Sequence, residues 1–195
     1  VADKKFGDCK ALTNFMGALL KEARIPSHYA LIKAGRNLSD REFDEDFVSS
    51  QFNHVILCVP NNKDTIWLEC TSNIIEPGYL GSFTQNRPAL LITENGGVLV
   101  KTPAYDYSRN LKNRKVEALV LPNGGLDIGI VSTYKNLQQE PKLSLYKNYS
   151  ENDLKDELTS SFQLSGYSIK SHNYSIPAST IPEIIEKLDI STEKY

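Results

Sequence analysis

Three pairs of β-rich runs, each closed by a short polar turn, set the strongest limit on how this chain folds. Phe52 to Val59 (FNHVILCV) and Asp64 to Thr71 (DTIWLECT) flank Pro60-Asn61-Asn62-Lys63. Ala89 to Thr93 and Val98 to Thr102 flank Glu94-Asn95-Gly96-Gly97. Lys115 to Leu121 and Leu126 to Tyr134 flank Pro122-Asn123-Gly124-Gly125. Branched and aromatic residues on both sides of a turn cluster predict a hairpin, and hairpins make antiparallel sheet. His28 to Lys33 and Tyr167 to Ile176 read as further strands.

One long helix precedes them. Asp8 is a helix-capping residue with Gly7 before it, and Leu12, Phe15, Met16, Leu19, Leu20 and Ala23 recur at three- and four-residue steps. The spacing predicts a helix to about Arg24 with Cys9 on the same inward stripe. Ile25-Pro26-Ser27 ends it, because the residue before a proline avoids the helical region. A second helix is predicted from Asn152 to about Phe162, starting at Ser150 or Glu151. Thr180-Ile181-Pro182-Glu183 reads as the opening of a last short helix, with proline at an allowed early position. The fold class is therefore α+β. The character changes near Pro103, where a polar stretch from Tyr105 to Arg114 intervenes. The expected division is an α+β part over 1–104 and a smaller β-rich part with short helices over 105–195.

Composition narrows the function. A formal net charge of −2 with scattered basic residues gives no nucleic-acid groove. No apolar stretch approaches the roughly 18 residues of a membrane span. The cysteines are Cys9, Cys58 and Cys70, and no Cys/His spacing resembles a zinc site. No metal or cofactor is expected. A Cys58–Cys70 disulfide is compatible with the sequence and still leaves one thiol free. The acidic loop with Asp40, Glu42, Asp44, Glu45 and Asp46 lacks the glycine and ligand spacing of a calcium loop, so it reads as a solvated face. His28 and His172 are given no chemical role. Three Asn-x-Ser sequons, at Asn37, Asn148 and Asn173, matter only in a glycosylating pathway. Tyr105, Tyr107, Tyr146 and Tyr149 read as half-buried strand and linker residues or as a sugar- or peptide-binding surface.

Cys9, His54 and Glu69 are the candidate site. With a four-residue loop, the first hairpin sets His54 opposite Glu69, close enough for the carboxylate to fix the ring tautomer. A cysteine at a helix start beside an imidazolium has a lowered pKa, and its thiolate is the nucleophile. The backbone N–H of Cys9 offers an oxyanion donor. Each residue also has a plainer reading: Cys9 as a small buried hydrophobe, His54 as a satisfied strand histidine, Glu69 as a solvent-facing carboxylate.

These residues resemble a family. Phe6-Gly7-Asp8-Cys9-Lys10 with its amphipathic helix and Ala23-Arg24-Ile25-Pro26 looks like the core of transglutaminase-like proteins, relatives of papain. Phe52-Asn53-His54-Val55 looks like the family's histidine strand, and Trp67-Leu68-Glu69-Cys70-Thr71 like the strand of its third residue. Residues 81–91 and 96–103 are similar to bacterial multidomain members that carry a β-rich domain after the core. The resemblance covers about 1–103. It implies a papain-like core lacking its N-terminal portion, with Cys9 as nucleophile, His54 as general base and Glu69 as orienting acid. It further implies acyl transfer or hydrolysis on protein or peptide amides, and a periplasmic or cell-envelope setting. Two residues depart from the pattern: the third member is usually aspartate, and an acidic residue often stands where Ala11 does. The alternative is an inactive scaffold that binds protein or glycan.

Overall fold

The computed structural model describes residues 1–193 apart from positions 38, 40, 41, 48, 63 and 180. The chain forms two compact units, Val1–Tyr105 and Asp106–Tyr195.

In the first unit, helix α1 (Cys9–Glu22) is followed by strands β1 (His28–Ile32), β2 (His54–Asn61), β3 (Asp64–Leu68), β4 (Pro88–Thr93) and β5 (Gly96–Lys101). The strands make one antiparallel sheet in the order β3-β2-β1-β4-β5. One face carries the apolar core of Ala30, Ile32, Ile56, Cys58, Trp67 and Ala89, closed by Leu80 from the segment between β3 and β4. Helix α1 packs on the other face, where Gly17 rests against Leu57 and Thr13 Oγ1 donates to the Val55 carbonyl at 3.2 Å.

The helix meets the sheet through a different stripe from the expected one. Thr13 is its buried residue, with Cys9, Gly17 and Leu20 half-buried on the same track. Phe15, Met16 and Leu19 are 36%, 36% and 48% exposed. A buried hydroxyl bonded to the strand holds this stripe inward, and that contact outweighs the stronger apolar periodicity.

Both predicted hairpin loops of this unit are shorter than expected. Asn61 pairs with Asp64 and Thr93 with Gly96, so two residues, not four, separate the strands in each. Asn62 (φ 51°) and Gly96 (φ 115°) supply the left-handed backbone that such tight turns require.

The second unit holds β6 (Lys112–Val120), β7 (Leu126–Lys135), a 3-10 turn (Asn136–Gln139), α2 (Glu140–Asn148), α3 (Glu151–Ser160), β8 (Tyr167–Ser175) and β9 (Glu183–Thr192). Its antiparallel sheet has the order β6-β7-β9-β8. Ser150 caps α3 by accepting from the Asp153 N–H, within the predicted start. Helix α2 has no counterpart in the sequence reading.

The expected terminal helix is a strand instead, and Thr180 at its supposed start lies outside the described residues. Ile184, Glu186, Leu188 and Ile190 alternate inward on β9, which lies between β7 and β8. A carboxylate at an inward position hides this period of two from a hydropathy reading.

Gly125 closes the β6–β7 turn. A Cβ there would lie 2.5 Å from the Thr192 carbonyl oxygen, a backbone atom with little room to yield. Gly125→Ala is expected to lower stability by about 1–3 kcal/mol, measured as a shifted urea midpoint.

Candidate active site

The site begins where α1 begins. The Asp8 carboxylate accepts the Ala11 N–H at 2.8 Å and the Asp8 carbonyl accepts Leu12 N–H at 2.9 Å. Cys9 is thus the first helical residue, half-exposed, at the positive end of the helix. The amides of Cys9 and Lys10 have no intrahelical acceptor and can serve as anion donors. Tyr29 on β1 lies close enough that Cys9 and Asp8 act on it. Burial, then those two groups, hold its hydroxyl above the ordinary tyrosine range.

His54 opens β2 and Glu69 follows the last residue of β3. His54 Nε2 lies 2.9 Å from Glu69 Oε2 and 3.1 Å from Oε1, with the two side chains 7% and 4% exposed. Both contacts fall on Nε2, so Nδ1 is the ring nitrogen left to exchange a proton. The ring stands edge-on to Phe83, 5.3 Å between centroids. Glu69 Oε1 also accepts from the Thr71 hydroxyl at 2.5 Å and the Thr71 N–H at 3.1 Å. Burial pushes the Glu69 carboxyl up. The hydrogen bonds from His54 and Thr71 outweigh it, and the net position is below the usual carboxylate range.

The predicted pairing is present, but through a different register. Leu57 faces Leu68, so continuing the ladder brings Thr71, not Glu69, opposite His54. A shift of two residues preserves the face. Glu69 then meets His54 on the diagonal, where Cα atoms are about 7–8 Å apart. The additional methylene of glutamate spans a gap that aspartate would leave open. Length at this position is therefore a fit to the register.

Cys9 is placed less directly. Thr13 lies against Val55 and Gly17 against Leu57, so one turn back the helix brings Cys9 to the level of Asn53 and His54. By strand alternation the His54 ring belongs to the face of Ile56 and Cys58, whereas α1 covers the other. Among the described residues no hydrogen bond joins Cys9 Sγ to His54.

The other thiols are held differently. All three cysteines are free, so no Cys58–Cys70 disulfide forms. Cys58 is 4% exposed in the core, and burial raises its pKa. Burial also raises that of Cys70, opposed by a hydrogen bond with Thr13 and reinforced by the Glu69 charge.

No group of three metal-ligating side chains occurs among the described residues, and Asp40 of the acidic loop lies outside them. No described helix is long and apolar enough to cross a membrane. The four tyrosines of the sequence reading do not share one environment. Tyr146 is buried, Tyr107 is 89% exposed, and Tyr105 stacks on Tyr79 while accepting the Leu80 N–H. No family model, curated protein or solved structure matches the chain.

Proposed function

We propose that the first unit catalyses cysteine-dependent acyl transfer or hydrolysis on protein or peptide amides. The observation that carries this reading is the buried His54–Glu69 pair at the start of β2, level along the sheet with the start of the Cys9 helix. A carboxylate held ionised below its ordinary range keeps Nε2 protonated, so Nδ1 is available as a base. His54, the first residue of β2, would reach round the strand end from the face opposite α1 to take the Cys9 proton, and the sulfur attacks the amide carbonyl. The Cys9 N–H stabilises the oxyanion. The C–N bond then breaks, the imidazolium protonates the departing amine, and a thioester remains. Water or a second amine attacks it, giving an acid or a new amide and restoring the thiol.

A second reading has its own support. Among the described residues Cys9 Sγ makes no hydrogen bond to the ring, which is what a binding scaffold without catalysis would show. One measurement separates the two. Iodoacetamide at about pH 6 is expected to alkylate Cys9 at least about tenfold faster than Cys58 or Cys70. His54→Gln, whose side-chain amide can still donate to Glu69, should remove that preference while leaving the fold intact. Labelling of Cys9 no faster than a model thiol, in both forms, would establish the scaffold reading.

A further inference from the structure

A groove of about 760 Å³ runs along α1 towards the turn between β4 and β5, on the face of the sheet that α1 covers. Its floor is Gly17, Tyr29 and Leu57, and Lys21, Arg24 and His28 stand among its walls. Among the described residues none of these three basic side chains is in an ion pair, and Glu94 is the acidic side chain of the lining.

Two of its residues break local rules in opposite directions. Gly17 sits inside a helix, where alanine is more favourable. Packing does not demand it, because a Cβ there would meet Leu57 at 3.8 Å, an ordinary contact. What a side chain would do is fill the groove. Arg24 sits where glycine is favoured. The Ile25 N–H bonds to the Leu20 carbonyl and the Arg24 N–H to the Lys21 carbonyl, a Schellman end with Arg24 left-handed at φ 58°. The chain has forgone helix stability twice, once to keep the floor low and once to keep a guanidinium at the rim. Rule-breaking that converges on one cavity marks a functional surface.

We propose that this groove binds an extended peptide segment bearing acidic side chains. From Thr13 to Arg24 the helix axis covers about 16 Å, the length of about five extended residues. The side-chain amides of Asn14 and Asn95 match the alternating donors and acceptors of a peptide backbone. Lys21, Arg24 and His28 select carboxylates.

The test uses the full chain with Cys9→Ala, so that binding is read whether or not Cys9 reacts. The probe is a fluorescein-labelled peptide of about six residues alternating glutamate and alanine, compared with its glutamine counterpart by fluorescence anisotropy. The glutamate peptide should bind at least about tenfold more tightly, with the advantage fading as salt rises. Arg24→Gly should raise the melting temperature while weakening the glutamate peptide by about tenfold. Gly17→Leu should also hold or raise the melting temperature and abolish binding. A purely structural role predicts no loss of binding in variants that are more stable. Equal affinity for the two peptides, no binding of either, or full binding by Arg24→Gly each overturns the proposal.

Discussion

Glu186→Ala is expected to destabilise the second unit by about 3–5 kcal/mol, enough to unfold a marginal domain. Glu186 is 1% exposed on β9 and both its oxygens accept hydrogen bonds. Oε1 accepts from Lys142 Nζ and from the Tyr146 hydroxyl, both at 2.7 Å, and Oε2 from the Tyr134 hydroxyl at 2.8 Å. The network reaches further, since Arg114 donates to the Tyr134 oxygen at 3.2 Å and to Ser132 Oγ at 2.9 Å. One carboxylate thereby ties α2 to β9 and to β7. Truncation leaves two buried hydroxyls and a partly buried ammonium without their acceptor, and that desolvation is most of the loss.

The same group gives a pH dependence. Burial pushes the Glu186 carboxyl up, but Lys142, Tyr146 and Tyr134 favour its ionised form more, so its folded pKa is below the ordinary value. Its stabilisation is complete above the unfolded pKa and lost as pH falls through the folded one. Urea unfolding followed by amide exchange on β9 should show a plateau near neutrality and a decline under acid conditions. Trp67, the sole tryptophan, reports the first unit separately. Lys142→Met is expected to cost less than Glu186→Ala, because Lys142 is 20% exposed and both tyrosines still serve the carboxylate. Replacing Glu186 by leucine together with Tyr134→Phe and Tyr146→Phe removes both hydroxyl donors with the acceptor and leaves only Lys142, 20% exposed, to turn to water. That triple variant should be far closer to wild type than Glu186→Ala, even though it deletes more polar atoms. An alanine variant within about 1 kcal/mol of wild type would show that the network contributes little.

What the sequence discloses follows its periodicity. The hairpins, the start of α1 and the Ser150-capped helix are legible because turn residues and caps act locally. Strand β9 is not, because Glu186 occupies an inward position and its donors Tyr134, Lys142 and Tyr146 are 40 or more positions away, and because Pro182 and its neighbours mimic a helix start. The burial of α1 is misjudged for a related reason. Thr13 scores poorly as a core residue, yet its hydrogen bond to Val55 helps decide which face turns inward. His54 and Glu69 are identifiable as partners from parity alone, since any even slip of the hairpin keeps them on one face. Their diagonal geometry is not, because it depends on whether two or four residues close the turn.

The diagonal makes Glu69→Gln the sharpest test of acyl transfer. The amide preserves shape but presents one acceptor where the carboxylate presents two. If its oxygen faces His54 Nε2, its NH₂ group points at the Thr71 hydroxyl and N–H, which are donors to Oε1 in the native site. If it turns round, the NH₂ donates to Nε2, the ring proton moves to Nδ1, and the base is lost. The expected result is a fall of about 10³–10⁴ in the rate of thioester formation at Cys9, measured with a p-nitrophenyl ester in a single turnover. The accompanying loss of stability is about 1–3 kcal/mol, small enough for the folded variant to be assayed. Glu69→Asp keeps the charge but falls short across the diagonal, so it should lie between wild type and Glu69→Gln. The ordering of the two variants is the informative part. A role limited to packing predicts that the amide, which keeps volume, is milder than the shortened acid. Orientation of the imidazole by charge predicts the reverse. A Glu69→Gln rate within about threefold of wild type would remove Glu69 from the reaction and leave His54 and Glu69 as a structural pair.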